Sequence, residues 1–77
     1  MNHMEEVAHI LGVELGEIFT TEAMDDIWHI FTETGLAYYD DYDEMWWEDN
    51  DYFTKLLTGE DKVVKLRKVG INKYERM

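Results

Sequence analysis

Cysteine and proline are both absent from the 77 residues of this chain. Without cysteine no disulfide can staple the fold, and no thiolate can bind zinc. A reducing compartment fits that composition. Cations are nearly absent from residues 1–61, where Lys55 stands alone against 17 carboxylates, a local balance of −16. Residues 62–77 reverse the sign. Lys62, Lys65, Arg67, Lys68, Lys73 and Arg76 face only Glu75 there, a balance of +5, and the net charge is −11. Such a body repels nucleic acid and anionic membranes, so direct binding to either is not expected. The basic segment is expected to fold back and neutralise part of the acidic body. No apolar run approaches the roughly 20 residues of a membrane span. Met1 to Glu6 is acidic with no apolar segment behind it, so a signal peptide is not expected.

The length bounds the rest. One domain is expected over 1–77, burying only about 60–65% of the surface of its unfolded chain. Aromatic residues make up 14% of the sequence, and they bury much area per residue in a small core.

Periodicity predicts the elements. Met4, Val7, Ala8 and Leu11 form one apolar helical stripe, with Asn2 as a candidate cap and Gly12 as a left-handed stop. Ile18 and Phe19 belong to a short extended piece. Residues 20–26 are ambiguous, either a loop or a helical turn capped by Thr21. Ile27 to Thr32 reads as a strand, Glu33-Thr34-Gly35 as a turn, Leu36 to Tyr39 as the partner strand. Asp40 to Asp43 then reads as a second turn and Met45 to Glu48 as a third strand. Asp49 or Asn50 caps a short helix whose apolar face is Tyr52, Phe53, Leu56 and Leu57, and Gly59 ends it. Lys62 to Val69 alternates as a half-buried strand. Residues 70–77 read as a loose tail. The expected fold is α+β: a small antiparallel sheet of three to four strands, with an N-terminal helix and a second short helix on one face.

Little catalytic or metal chemistry is on offer. Asp41-x-Asp43 begins like a calcium loop, but position five is Met45, no glycine follows, and Tyr52 replaces the bidentate glutamate of position twelve. His3, His9 and His29 lack zinc spacing, and His29 reads as a packed or edge strand residue rather than a ligand. No nucleophile motif or phosphate loop is present. The carboxylates are clustered and solvated, whereas a general acid needs an isolated apolar site. Neither enzyme activity, a cofactor nor a metal site is expected.

The dense stretch is 40–51. Asp40, Asp41, Asp43, Glu44, Glu48, Asp49 and Asp51 crowd together with no cation, interleaved with Tyr42, Trp46 and Trp47. Adjacent tryptophans in a strand point to opposite faces, so one is expected in the core and the other outside. Exposed tryptophan and tyrosine are enriched in binding hot spots. Seven uncompensated acids repel one another, a cost that a basic partner would offset. These ten residues are the candidate partner-binding set. A strand rises about 3.3 Å per residue and a DNA strand places one phosphate per roughly 3.4 Å, so strand carboxylates can follow a row of phosphates.

The stretches Met4 to Ala8, Leu11 to Glu17 and Phe19 carry a resemblance. So do Phe31, Gly35-Leu36, Tyr38 to Trp47, Leu56 to Glu60 and Val63 to Leu66. Together they resemble a family of small proteins encoded by phages and prophages of Gram-positive bacteria. The density of acids and tryptophans at 40–51 departs from that pattern. In functional type the chain resembles acidic phage-encoded inhibitors, including anti-CRISPR proteins that imitate nucleic acid. The resemblance implies a phage accessory protein in the cytoplasm of a bacterial host. Its expected partner is a host nucleic-acid-binding protein, a CRISPR-Cas nuclease first among them. The alternative is a phage structural or assembly protein, or a homo-oligomer such as a homodimer whose aromatics form the subunit interface. A DNA-binding regulator using 62–68 is a third reading, opposed by the charge of the body.

Overall fold

The computed structural model describes residues 3–77. The candidate cap Asn2 lies outside the described residues. The elements run α1 (His3–Ile10), β1 (Phe19–Thr21), β2 (His29–Thr32), β3 (Gly35–Asp40), β4 (Met45–Glu48), α2 (Asn50–Thr58), β5 (Val63–Gly70) and β6 (Lys73–Arg76). All strand pairs are antiparallel, and the sheet order is β4-β3-β2-β1-β5-β6.

The core lies on one face of this sheet. The Phe19 and Phe31 rings pack at 5.1 Å, and both side chains are fully buried. Ala8 comes in from α1 and Leu56 from α2, and Val13 and Leu36 complete the cluster. Both helices therefore cover the same face. Full burial of each Phe or Leu contributes about 1.5–3 kcal/mol relative to exposure. Three of the four stripe residues of α1 meet the core, Met4 and Leu11 packing beside Ala8, while Val7 is half-buried outside the cluster. On α2 the stripe is narrower than expected. Tyr52, Phe53 and Leu56 face the core, but Leu57 is 57% exposed.

The chain is α+β, but the expectation of three to four strands is overturned by a sheet of six. The two extra strands are β1 and β6. β1 has three residues, all buried, because it is a central strand between β2 and β5. A segment so short and so enclosed shows no alternation. Thr21 also serves as the turn cap the sequence suggests, since its Oγ1 accepts a hydrogen bond from Met24 N at 3.0 Å. β6 overturns the loose tail expected over 70–77. A two-residue turn at 71–72 returns the chain onto β5, with Asn72 in the left-handed region at φ 55°. Asparagine tolerates that conformation because its short polar side chain bonds locally. Arg67 Nε then donates to Glu75 Oε1 across the hairpin at 2.8 Å.

One close approach ties α2 to the sheet. Asn50 Oδ1 accepts from Leu36 N at 3.2 Å, and Leu36 O accepts from Asp49 N at 2.9 Å. The Asn50 amide sits directly over Gly35, where any Cβ would overlap it, and Gly35 has φ 145°. Asp49 caps the helix, its Oδ1 accepting from Tyr52 N at 3.1 Å.

Two substitutions test these statements by denaturant unfolding. Gly35→Ala combines a left-handed φ with a steric overlap, and should cost at least about 2 kcal/mol. Thr20 is buried with its Oγ1 unpartnered. Thr20→Val removes that unmet hydroxyl at nearly constant shape, and should leave stability unchanged or raise it by about 1 kcal/mol.

Candidate functional site

The β3–β4 hairpin presents most of the candidate residues. Asp40 closes its loop, with Oδ1 accepting from Tyr42 N at 2.9 Å and from Asp43 N at 3.3 Å. This is the local bonding that makes aspartate a turn residue. Asp41, Tyr42, Asp43 and Glu44 are exposed, Tyr42 to 94%. Trp46 pairs with Tyr39 and Trp47 with Tyr38, so the two tryptophans take opposite faces as their adjacency predicts. The expectation that one enters the core is not met. Trp46 is 37% exposed and Trp47 43%. β4 is an edge strand, and the helices pack over its neighbours: α2 on β3, α1 on β2.

The seven acids divide by role. Asp40 holds the turn and Asp49 caps α2. Glu48 Oε1 accepts from Thr34 Oγ1 at 2.7 Å. The side chains of Asp41, Asp43, Glu44 and Asp51 accept no hydrogen bond and enter no ion pair among the described residues. The acids also fall into two groups, one at the hairpin tip and one where α2 begins. β4 separates them by about 13 Å, four strand rises. Only Glu48 lies on the strand itself, so the expected row of strand carboxylates is not formed. The basic segment does not reach them either. The ion pairs of the described residues are Lys65–Glu17 at 3.7 Å and Arg67–Glu75. β5 and β6 stand at the opposite end of the strand order from β4.

The sheet face away from the helices carries a feature the sequence reading missed. Trp28, Tyr39, Trp46 and Tyr74 form a continuous aromatic line there, with ring centroids 5.9, 5.2 and 5.1 Å apart for Trp28–Tyr39, Tyr39–Trp46 and Trp28–Tyr74. Tyr39 N also donates to Trp28 O at 2.9 Å. A cleft of about 380 Å³ opens along this line, bordered by Ile18, Trp28, Tyr39, Asp41, Trp46 and Asn72. Asp41 belongs to the β3–β4 loop and Asn72 to the β5–β6 turn, at opposite ends of the strand order. The sheet is therefore curled, and its two end hairpins flank one groove. Alternation around Trp28 was the available signal, since its neighbour His29 faces the core.

A second constellation is buried. Asp61 Oδ1 accepts from Ala23 N at 3.1 Å and Lys62 N at 2.8 Å, and its Oδ2 accepts from the Tyr52 hydroxyl. Burial alone would raise the Asp61 pKa. The hydrogen bonds from Tyr52, Thr21 and the two backbone N–H groups outweigh burial and bring it down to about 2. The Tyr52 hydroxyl is pushed up, by burial first and then by its bond to Asp61. His29 stacks on Tyr52 at 6.0 Å, gives Nδ1 to Ile27 O at 3.0 Å, and is pushed down by burial. Asp61, Tyr52 and His29 thereby tie the β1–β2 and α2–β5 connections to α2. Among the described residues no three histidine or carboxylate side chains converge to hold a metal ion. No helix among them is long and apolar enough to cross a membrane.

Acid titration reads this network. Asp61 has a folded pKa near 2 against an ordinary 3.8, so the unfolded chain binds its proton more readily. The resulting stabilisation of about 2 kcal/mol is complete above about pH 4 and is lost as pH falls through 2. Asp61→Asn should flatten that acid limb and lower stability at neutral pH by about 1–3 kcal/mol. Thermal melts from pH 7 to pH 2 measure both. Comparison of this chain with known protein families, with curated proteins and with solved structures returns no match.

Proposed function

We propose that this protein is a binding module that docks its acidic, aromatic edge into the basic nucleic-acid site of a host protein and excludes nucleic acid from it. The observation that carries the proposal is the set Asp41, Asp43, Glu44 and Asp51. These are four carboxylates without partners, flanking the exposed side chains of Tyr42, Trp46 and Trp47. Mutually repelling charges that do no work in the fold cost stability, and a cationic cleft offsets that cost. The aromatics supply the anchoring area that charge alone does not. The two acidic groups, about 13 Å apart, match about four phosphate spacings of 3.4 Å. They would meet two separate patches of phosphate-binding cations rather than a continuous row.

The resemblance to small phage proteins supports a phage-encoded inhibitor acting in the bacterial cytoplasm, with a CRISPR-Cas nuclease as the first target to examine. Competition would be steric and electrostatic, with fast, salt-sensitive association and no chemical step.

A second reading has its own observation. β4 is an edge strand with two exposed tryptophans, and such an edge can pair with another copy of itself. The like charges at its two ends oppose that pairing. Light scattering separates the readings, because a stable dimer with quench-protected tryptophans would favour self-association.

The test of the inhibitor reading is binding to a purified CRISPR nuclease across rising salt. The triple change Asp41→Asn, Asp43→Asn and Glu44→Gln should weaken binding at least tenfold at low salt and flatten the salt dependence. Binding indifferent both to salt and to these changes would refute the reading.

A further inference from the structure

We propose that the aromatic groove is a receptor for one arginine side chain of the partner. Its guanidinium would lie against Trp28, Tyr39 and Trp46, with Asp41 as counter-charge. The groove lies on the sheet face opposite the helices, where the rings of Trp28, Tyr39 and Trp46 border it and remain only half-covered by one another. Its volume of about 380 Å³ holds a small planar group with its stem. The Asp41 carboxylate stands on the rim with no partner among the described residues, and Ile18 offers an apolar surface to an alkyl stem.

The chemistry selects the occupant. Electron-rich ring faces attract cations, tryptophan most strongly. A guanidinium also stacks flat on an indole and can give two N–H groups to one carboxylate, which an ammonium cannot match. The amide of Asn72 on the opposite rim adds a polar group that can accept. A nucleobase could stack on the same rings, but its phosphate would meet the Asp41 carboxylate on the rim of a chain whose net charge is −11. A positively charged planar side chain satisfies rings and carboxylate together. The inference rests on the proposed function only for which protein brings the arginine.

The groove can be tested without that protein. The intact chain is titrated with N-acetyl-arginine methylamide, and in parallel with its lysine and citrulline counterparts. Citrulline keeps the shape of arginine and removes the charge. Tryptophan fluorescence and the indole N–H resonances report binding. Arginine should saturate in the millimolar range, as about 4 kcal/mol of interaction allows. It should shift Trp28 and Trp46 but not Trp47, which points to the other face. Lysine should bind several-fold more weakly, and citrulline about tenfold more weakly. Asp41→Asn, in an exposed loop, and Trp46→Ala, on the edge strand, should each weaken arginine binding about five- to tenfold. Their melting curves confirm the fold. Equal binding of arginine and citrulline, shifts centred on Trp47, or indifference to both substitutions would overturn the inference. Arginine seated in the groove without nuclease binding would sink the partner assignment alone. Nuclease binding without arginine in the groove would sink the groove alone.

Discussion

Two helices of eight and nine residues can cover one face of a six-stranded sheet and no more. Phe19, Phe31, Leu36, Ala8 and Leu56 use up that cover. Everything else follows from how the other face and the edges are handled. The uncovered face is not polar. It carries Trp28, Tyr39, Trp46 and Tyr74, and the sheet curls so that these rings shield one another. The curl brings the tips of the two end hairpins to a common cleft. The groove is thus a consequence of having too little helix for so much sheet.

Charge is arranged along the same axis. The acids cluster at the tip of the β3–β4 hairpin and the start of α2, and five of the six cations of residues 62–77 lie on β5 and β6 at the other end of the strand order. The six cations do not compensate the cluster through direct ion pairs, since Lys65 meets Glu17 and Arg67 meets Glu75. The molecule is left with the acidic β3–β4 loop and the turn of the basic β5–β6 hairpin on either side of its aromatic cleft. Exposed ion pairs contribute little to stability in any case, so the separation affects recognition more than folding. Asp61 shows the contrast. It is the acid most deeply employed in the fold, and its partners are a hydroxyl and backbone N–H groups rather than a cation.

Some of this is legible in the residues. The stripe of Met4, Ala8 and Leu11, the aromatic-rich runs at 36–39 and 45–48, the Asp49 cap and the Gly59 stop all follow from local chemistry. The opposite directions of Trp46 and Trp47 follow from strand geometry alone. Three things are not legible. β1 is too short and too enclosed to alternate. β6 depends on Asn72 taking a left-handed φ after an isoleucine, an uncommon turn composition. Trp28 and Tyr74 are 46 positions apart, and only curvature brings them together.

By itself the sequence determined the sign and placement of charge, the two helices, the central hairpins and the absence of any thiol chemistry. These depend on residue identity and on spacings of two to four positions. Tertiary structure alone decided the number of strands, which acids are already engaged and which tryptophan borders a cleft. Those outcomes turn on contacts between distant segments and on the curl of a half-covered sheet, and no local spacing encodes them.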